Sequence, residues 1–404
     1  MTDPSPAYRF GPYRLDPAER RLSRGGTVIP LRLKVFETLR VLVENAGRLL
    51  TKEELLQAIW PGVAVEENNL NHNVSMIRRV LGEKATGQSF IETVPRVGYR
   101  FVAAVDVEHP VRAPVPRHRE VTRQEIRYCT TPDGVRLAYA TSGSGPPLVK
   151  ASNWLTHLDF ERDSPIWRHW WEALSRHHRV IRYDERGNGM SQRDVGGVSF
   201  ETWVQDLETV IDAAGLDRFA LLGISRGAPI AIAYAVRHPE RVSHLVLYGG
   251  FALGLNHTGT PEDLEARRAL VSLIRLGWGL NNPAFSKVFT CRFLPHATPE
   301  HEAWVDELQR VSTSPENAAH LMEVDDEIDV RALLPQVRVP TLVVHCDDDH
   351  AVAPEDGRLL AAEIPGARYV SLPGANHLMM ESEPAWGLFL EELGLFLGWS
   401  GATS

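Results

Sequence analysis

The stretch Ala220-Leu-Leu-Gly-Ile-Ser225-Arg-Gly-Ala-Pro-Ile-Ala-Ile-Ala-Tyr234 decides how the rest of the chain is read. An apolar strand runs into Gly223-Ile224-Ser225-Arg226-Gly227, and a helix of small residues follows at once. G-x-S-x-G between a strand and a helix is a nucleophile elbow. Its two glycines let the backbone turn sharply and bring neighbouring elements close, lifting the Ser225 hydroxyl out of the sheet edge. A glycine turn with an incidental serine has the same five residues. Ser225 therefore acquires meaning only from what the chain places around it.

Around the elbow, residues 125–404 alternate between strand and helix patterns. Strands are expected at Ile126–Cys129, Val135–Ala140, Leu148–Ala151, Val180–Tyr183, Phe219–Leu222, Leu245–Tyr248, Thr341–His345 and Tyr369–Leu372. Helices are expected at Pro165–His178, Phe200–Ala214, Ala228–Arg237, Glu355–Glu363 and Glu383–Leu397. Such alternation predicts an α/β fold with a doubly wound, mainly parallel sheet. Residues 250–335 break the pattern and read as a helical cap between the sixth and seventh strands, with Trp278, Phe285, Phe289, Phe293 and Trp304 expected to pack its core. The acidic run Glu323–Asp329 reads as a solvated helix face. It has no histidine at ligand spacing, so no metal site is expected.

Two further pieces complete a chemical set. The apolar strand before Asp347-Asp348-Asp349 ends in carboxylates, and Leu372-Pro-Gly-Ala-Asn-His377 brings a histidine onto a loop after a strand. A serine hydroxyl is a weak nucleophile at neutral pH and needs a base to take its proton. A carboxylate must fix the imidazole tautomer and stabilise the imidazolium. Ser225, Asp349 and His377 follow in the chain order of α/β-hydrolases, and this part of the chain resembles that family over about 125–399. The string Arg182-Tyr-Asp-Glu-Arg-Gly-Asn-Gly-Met-Ser191 resembles its esterase and non-haem haloperoxidase-like members. The resemblance implies Ser225 as nucleophile, His377 as base and Asp349 as the acid, with Asp348 the second choice. It also implies backbone oxyanion donors at Arg226 and, after the third strand, at Trp154. There the family commonly has His-Gly, whereas this chain has Lys150-Ala-Ser-Asn153-Trp154. His157 and Asp159 lie close enough in sequence to line a pocket. Serine at the elbow argues against reactions that need an aspartate nucleophile, such as dehalogenation. No cofactor is called for.

The first hundred residues read differently. Short strands at Tyr8–Phe10, Tyr13–Leu15, Arg21–Ser23 and Thr27–Ile29 precede a helix from Leu33 to Glu44. Thr51-Lys52-Glu53-Glu54 is a capping box that opens a second helix. A third helix over about 66–81 buries Leu70, Val74, Ile77 and Leu81 and presents Asn68, His72, Ser75 and Arg79, flanked by Asn71 and Arg78. A terminal hairpin carries Arg96 at its tip. This outline is a winged helix-turn-helix. The strings Val65-Glu-Glu-Asn-Asn-Leu, Ile77-Arg-Arg-Val-Leu-Gly82 and Phe90-Ile-Glu-Thr-Val-Pro-Arg-Val-Gly-Tyr-Arg-Phe-Val102 resemble the OmpR-like, response-regulator-type DNA-binding family over about 8–104. The resemblance implies that the third helix enters the major groove and the hairpin the adjacent minor groove, with Lys52 among the contacts. Asparagine can pair with adenine edges, and arginine with guanine edges or phosphates. Ser75 and Met76 stand where many members carry extra basic residues.

The chain of 404 residues holds 43 Lys and Arg against 52 Asp and Glu. Residues 1–105 have 15 basic and 11 acidic side chains; the remaining 28 basic and 41 acidic fall in 106–404. A polyanion partner therefore suits the head alone. Three scattered cysteines fit neither a disulfide framework nor a zinc cluster. No signal peptide or membrane span is read, so a cytoplasmic protein without a membrane partner is expected. No receiver domain is expected ahead of the head. Residues 106–124, with Pro110, Pro114 and Pro116, read as an extended linker between a winged helix (1–105) and a hydrolase-like body (125–404, cap about 250–335). The expected protein is a DNA-binding regulator whose body binds, and hydrolyses, a small ester, lactone or acyl compound. Its alternatives are an inactive ligand sensor, and a serine hydrolase for which the winged helix is a targeting module. Double-stranded DNA and a small ligand are the expected partners, with a homodimer one route between them.

Overall fold

The computed structural model describes residues 7–17, 21–25, 27–29, 31, 33–59, 67–82, 89–95, 97–108, 124–279 and 283–399. It divides into two compact units, Met1–Arg119 and Glu120–Ser404.

In the first unit β1 (Ala7–Phe10), β2 (Tyr13–Asp16), β3 (Arg21–Arg24) and β4 (Thr27–Ile29) form an antiparallel meander. Helices α1 (Leu33–Glu44), α2 (Lys52–Ile59) and α3 (Glu67–Val80) follow, with β5 (Leu49–Thr51) between α1 and α2. β6 (Ile91–Val94) and β7 (Gly98–Phe101) make the hairpin, and β7 also pairs with β5. Two strands are absent from the sequence reading. One is β5; the other is β8 (Asp106–Glu108), which pairs antiparallel with β1 although its residues were assigned to the linker. Three residues are too short for a periodic signal, and only the partner strand reveals them. The rest of the proline-rich linker lies outside the described residues.

Local chemistry sets these elements. The α2 capping box forms as the sequence predicts: Thr51 N–H donates to Glu54 Oε2 at 2.7 Å and Glu54 N–H to Thr51 Oγ1 at 3.1 Å. Leu70, Val74 and Ile77 of α3 and Leu81 just after it are buried, and join Phe10, Phe36, Leu39, Phe90 and Phe101 in one core. Asn73 Nδ2 donates to the Lys34 carbonyl and to Thr38 Oγ1, fixing α3 against α1.

In the second unit β9 (Glu125–Thr130), β10 (Arg136–Ser142), β11 (Pro147–Lys150), β12 (Arg179–Tyr183), β13 (Phe219–Ile224), β14 (Val242–Tyr248), β15 (Thr341–Cys346) and β16 (Arg368–Leu372) form one sheet. Its order is β16-β15-β14-β13-β11-β12-β10-β9, parallel except where β10 meets β9 and β12. Every residue of β13 and β15 is buried, as expected of strands covered on both faces. The two-residue period sorts them. Phe219, Leu221, Leu245, Leu247 and Val343 face the helices Phe200–Ala213 and Gly227–Arg237. Leu222, Ile224, Val246, Tyr248 and Val344 face Trp170, Trp386 and Phe389 on the helices Arg168–Ser175 and Pro384–Leu397. Between β14 and β15 stands the expected cap, built of the helices Leu255–Thr258, Pro261–Gly277, Pro283–Phe293, Pro299–Ser312 and Pro315–Asp326. No helix among the described residues is long and apolar enough to cross a membrane.

Candidate active site and nucleic-acid interface

The sharp turn after β13 is enforced by close packing. A Cβ on Gly223 would sit 2.7 Å from both Ala228 Cα and the Gly227 carbonyl oxygen, and one on Gly250 would sit 2.3 Å from Ala228 Cβ. Only glycine fits either place. Ser225 takes φ +53°, left-handed backbone that a non-glycine residue adopts at a cost. Its N–H donates to the Tyr248 carbonyl at 2.9 Å, and its own carbonyl accepts from Ala228 N–H at 2.9 Å. Leu155, at φ +49°, is the other non-glycine residue in this region of backbone space among the described residues. Both line the same cavity.

The carboxylate and histidine come from the loops after β15 and β16. His377 Nδ1 donates to Asp349 Oδ2 at 2.6 Å, and both side chains are buried. Asp349 Oδ1 accepts from the N–H groups of Ala351 and Val352 at 2.8 and 3.1 Å. Burial pushes this carboxyl up, but the facing His377 and the two backbone donors outweigh it and hold it below the usual range. Asp348, the second choice, is 77% exposed and lies beside His350, whereas Asp347 accepts from Gly374 N–H at 3.0 Å. With Nδ1 engaged by Asp349, Nε2 is the nitrogen left to face a substrate. It has no hydrogen-bond partner among the described residues.

Two cavities meet at Ser225, Trp154 and Phe293. One is a narrow, apolar slot of about 50 Å³, walled by Ile166, Trp167, Leu294, Val305 and Leu378 and bearing the polar groups of Asn153, Thr290, Gln309 and His377. The other, about 420 Å³, is polar, with Arg226, Arg267, Arg292, Asp325, Asp326 and Asp356 on its walls. Phe293 and Trp304, expected as cap packing, thus face the site, while Trp278 does pack, its ring against Trp154 at 6.2 Å. The side chains of Phe285 and Phe289 lie outside the described residues. His157 and Asp159 line neither cavity: the His157 ring accepts from Phe160 N–H at 3.3 Å, and Asp159 is exposed.

The N–H groups of Arg226 and Trp154 have no acceptor among the described residues. The Arg226 side chain runs inward. Its guanidinium donates to Glu185 Oε1, lies 3.4 Å from Asp325 Oδ1, and stacks over Trp203 at 4.2 Å. The acidic run is therefore only in part the solvated face expected of it: Glu323, Glu327 and Asp329 are exposed, and Asp325 and Asp326 are not. Asp325 meets Arg226 and Asp326 meets Arg267 at 3.3 Å, and burial pushes both carboxyls up to about 6. The sequence signal for this was slight: an arginine directly after the elbow serine, in an otherwise small-residue helix. Deeper still, Arg186 is fully buried against Asp206 at 2.6 Å, so the glycine-rich turn after β12 is scaffold.

On the first unit, Asn71, His72, Ser75 and Arg79 are exposed together along α3. Asn71 Oδ1 accepts from Tyr99 OH at 2.7 Å, which ties the helix to the hairpin. Arg78 is turned the same way: its Nη2 donates to the Ile91 carbonyl at 2.7 Å and to Thr93 Oγ1 at 2.8 Å. Lys52 is partly exposed at the start of α2, and its N–H donates to the Val97 carbonyl at 3.1 Å. The side chain of Asn68 and the whole of Arg96 lie outside the described residues.

A parallel sheet with a left-handed serine after β13, and a histidine–carboxylate pair on the loops of later strands, defines the class: this is an α/β hydrolase architecture behind a winged helix. The chain belongs to the alpha/beta hydrolase fold family, whose model matches residues 160–384, and its residues 26–101 match the C-terminal domain of transcriptional regulatory proteins. RutD of Azorhizobium caulinodans is 29% identical over 250 residues, covering 61% of this chain and 90% of that protein. The 2-hydroxy-6-oxo-2,4-heptadienoate hydrolase of Pseudomonas putida is 30% identical over 231 residues, or 52% of this chain and 71% of the enzyme. Among solved structures, the enol-lactonase of Burkholderia xenovorans superposes with a TM-score of 0.55 at 28% identity, covering 67% of this chain and all 100% of the lactonase.

Proposed function

We propose that the protein is a DNA-binding transcriptional regulator whose hydrolase unit binds and cleaves a small ester, lactone or related acyl compound. The observation that carries this is the 2.6 Å contact between His377 and Asp349 beside a serine held at φ +53° on a shared cavity. In this reading Ser225 Oγ attacks the carbonyl carbon while His377 Nε2 takes the hydroxyl proton. Asp349 holds the imidazole in the required tautomer and stabilises its charge. The unengaged N–H groups of Arg226 and Trp154 receive the developing oxyanion. His377 then returns the proton to the leaving group, and a water repeats the sequence to free the acid. The narrow apolar slot suits a hydrocarbon portion of the substrate, and the polar cavity suits the other side of the scissile bond. Relatives that include an enol-lactonase and a dienoate hydrolase support an acyl substrate.

The winged helix supports duplex DNA as the second partner, bound by the exposed Asn71, His72, Ser75 and Arg79, with Asn68, Lys52 and Arg96 adding contacts. Action in the cytoplasm follows from that partner. A regulator that binds its ligand without turnover is the second reading, favoured by the lack of a hydrogen bond between His377 Nε2 and the Ser225 hydroxyl. Hydrolysis of a short-chain chromogenic ester, together with labelling by a fluorophosphonate, separates the two. Ser225→Ala and His377→Ala are each expected to lose several orders of magnitude in kcat with an unchanged melting temperature, because such residues act as one unit. Wild-type protein inert to both reagents would leave only the sensor.

A further inference from the structure

Asn153 and Lys150 stand where the loop after β11 approaches the elbow. Both are buried, at 4% and 3% exposure. The Ser152 carbonyl, one residue before Asn153, lies 3.0 Å from where a Cβ on Gly227 would sit, so loop and elbow are in contact. Lys150 Nζ donates to Asn153 Oδ1. An ammonium has three donors and no acceptor, so the amide oxygen must be the atom turned toward it. The other end of the amide, Nδ2, is then fixed as the end turned away, and it donates no hydrogen bond among the described residues. Asn153 lines the narrow cavity together with Ser225 and His377.

The lysine is built in rather than incidental. Its ammonium lies 5.8 Å from the ring centroids of both Trp167 and Trp171, with the buried Glu161–Arg182 pair at 2.8 Å in the same cluster. Burial lowers it to about 8, with Glu161 working against the shift, so it is still an ammonium at neutral pH. A buried amide aimed by a buried cation has one orientation, which a free asparagine would not.

Resting on the hydrolase reading above, we propose that the Asn153 side-chain amide is a third donor to the reacting carbonyl oxygen, and that Lys150 is the positioning residue that aims it. As Ser225 Oγ adds to the carbonyl carbon and its proton passes to His377, the carbonyl π pair moves onto oxygen. Asn153 Nδ2–H donates to that oxygen without transferring its proton. The preferred substrate is an ester or lactone whose hydrocarbon portion enters the narrow cavity and whose carbonyl oxygen, at the Ser225 end, turns toward Asn153.

Full-length protein carrying Asn153→Ala, Asn153→Asp, Lys150→Met or Lys150→Gln tests this with p-nitrophenyl acetate and a fluorophosphonate. Asn153→Ala is expected to lower kcat and the labelling rate about 10²-fold, with KM within about threefold, as for loss of one oxyanion donor. Asn153→Asp keeps an acceptor for Lys150, so it should fold, yet it offers no donor and a like charge; its loss is expected to be greater. Lys150→Met should lose less, and Lys150→Gln, which can still donate to Oδ1, should recover part of that loss at equal melting temperature. An active wild type with unchanged kcat in both Asn153 variants overturns the proposal alone, as does a rise in KM without a fall in kcat. A wild type that neither labels nor turns over overturns the hydrolase reading and this proposal with it.

Discussion

Individual residues at the hydrolase site are held in states that they would not take alone. Left-handed backbone at a serine or leucine costs on the order of 1–3 kcal/mol, and it persists only where the surroundings over-determine it. For Ser225 the surroundings are the Tyr248 carbonyl, Ala228 N–H and the glycines whose absent Cβ atoms admit the turn. Asp349 is likewise fixed by three donors, His377 and two backbone N–H groups. The three neighbouring aspartates are therefore not equivalent. Asp349→Asn is expected to lower kcat about 10³- to 10⁴-fold by presenting the wrong tautomer of His377. Asp348→Asn, at a side chain 77% exposed, should stay within about twofold. Steady-state hydrolysis by the two variants decides, and equal losses would remove the distinction between them.

At the scale of elements, α3 of the winged helix does two jobs with adjacent arginines. Arg78 joins α3 to β6 through the Ile91 carbonyl and Thr93 hydroxyl, whereas Arg79 stands exposed beside His72 and Ser75. Arg79→Ala is expected to weaken a specific duplex by about 1–3 kcal/mol with no change in melting temperature, if it reads a base. Arg78→Ala should lower the melting temperature of the winged helix, because two hydrogen bonds between helix and hairpin are lost. Salt titration of duplex binding beside thermal denaturation checks both. A stable Arg78→Ala protein with impaired binding would make Arg78 a DNA contact after all. In the hydrolase unit the last cap helix has a similar double role. It caps itself through Ser314, whose hydroxyl accepts from Asn317 N–H, and its far end brings Asp325 to Arg226 beside the nucleophile.

For the whole molecule, the proposed function, with DNA bound by one unit and a ligand by the other, predicts a coupling between them. Occupying the Ser225 pocket is expected to change operator affinity, and by linkage operator DNA must change ligand affinity by the same factor, about 1–3 kcal/mol. Two routes predict opposite signs. If the acidic body competes with DNA for the basic head, deleting residues 125–404 tightens binding. If the body dimerises the protein across paired half-sites, the same deletion weakens it. The dimer route is favoured because one winged helix contacts too little duplex for high specificity. Operator titrations of full-length protein, with and without a covalent phosphonate on Ser225, measure the coupling. Superimposable curves would mean that the two units share a chain but no signal.

The sequence by itself determined the sheet and its elbow, the cap's place between β14 and β15, the helices of the head and the Thr51 capping box. Each rests on information within a few residues: a two-residue or 3.6-residue apolar period, a glycine where a Cβ cannot fit, a hydroxyl three residues before a carboxylate. The candidate chemistry was legible for the same reason, since serine, aspartate and histidine were each tied to the end of a recognisable strand. Tertiary structure alone decided what those local signals leave open. It paired β8 with β1, drew Asp325 and Asp326 out of solvent, turned Arg78 toward the hairpin and set Lys150 against Asn153. A periodic pattern tells which way a side chain leaves its own element, but not what the packing of other elements brings to meet it. Burial and partner, which fix a group's charge and orientation, belong to that packing.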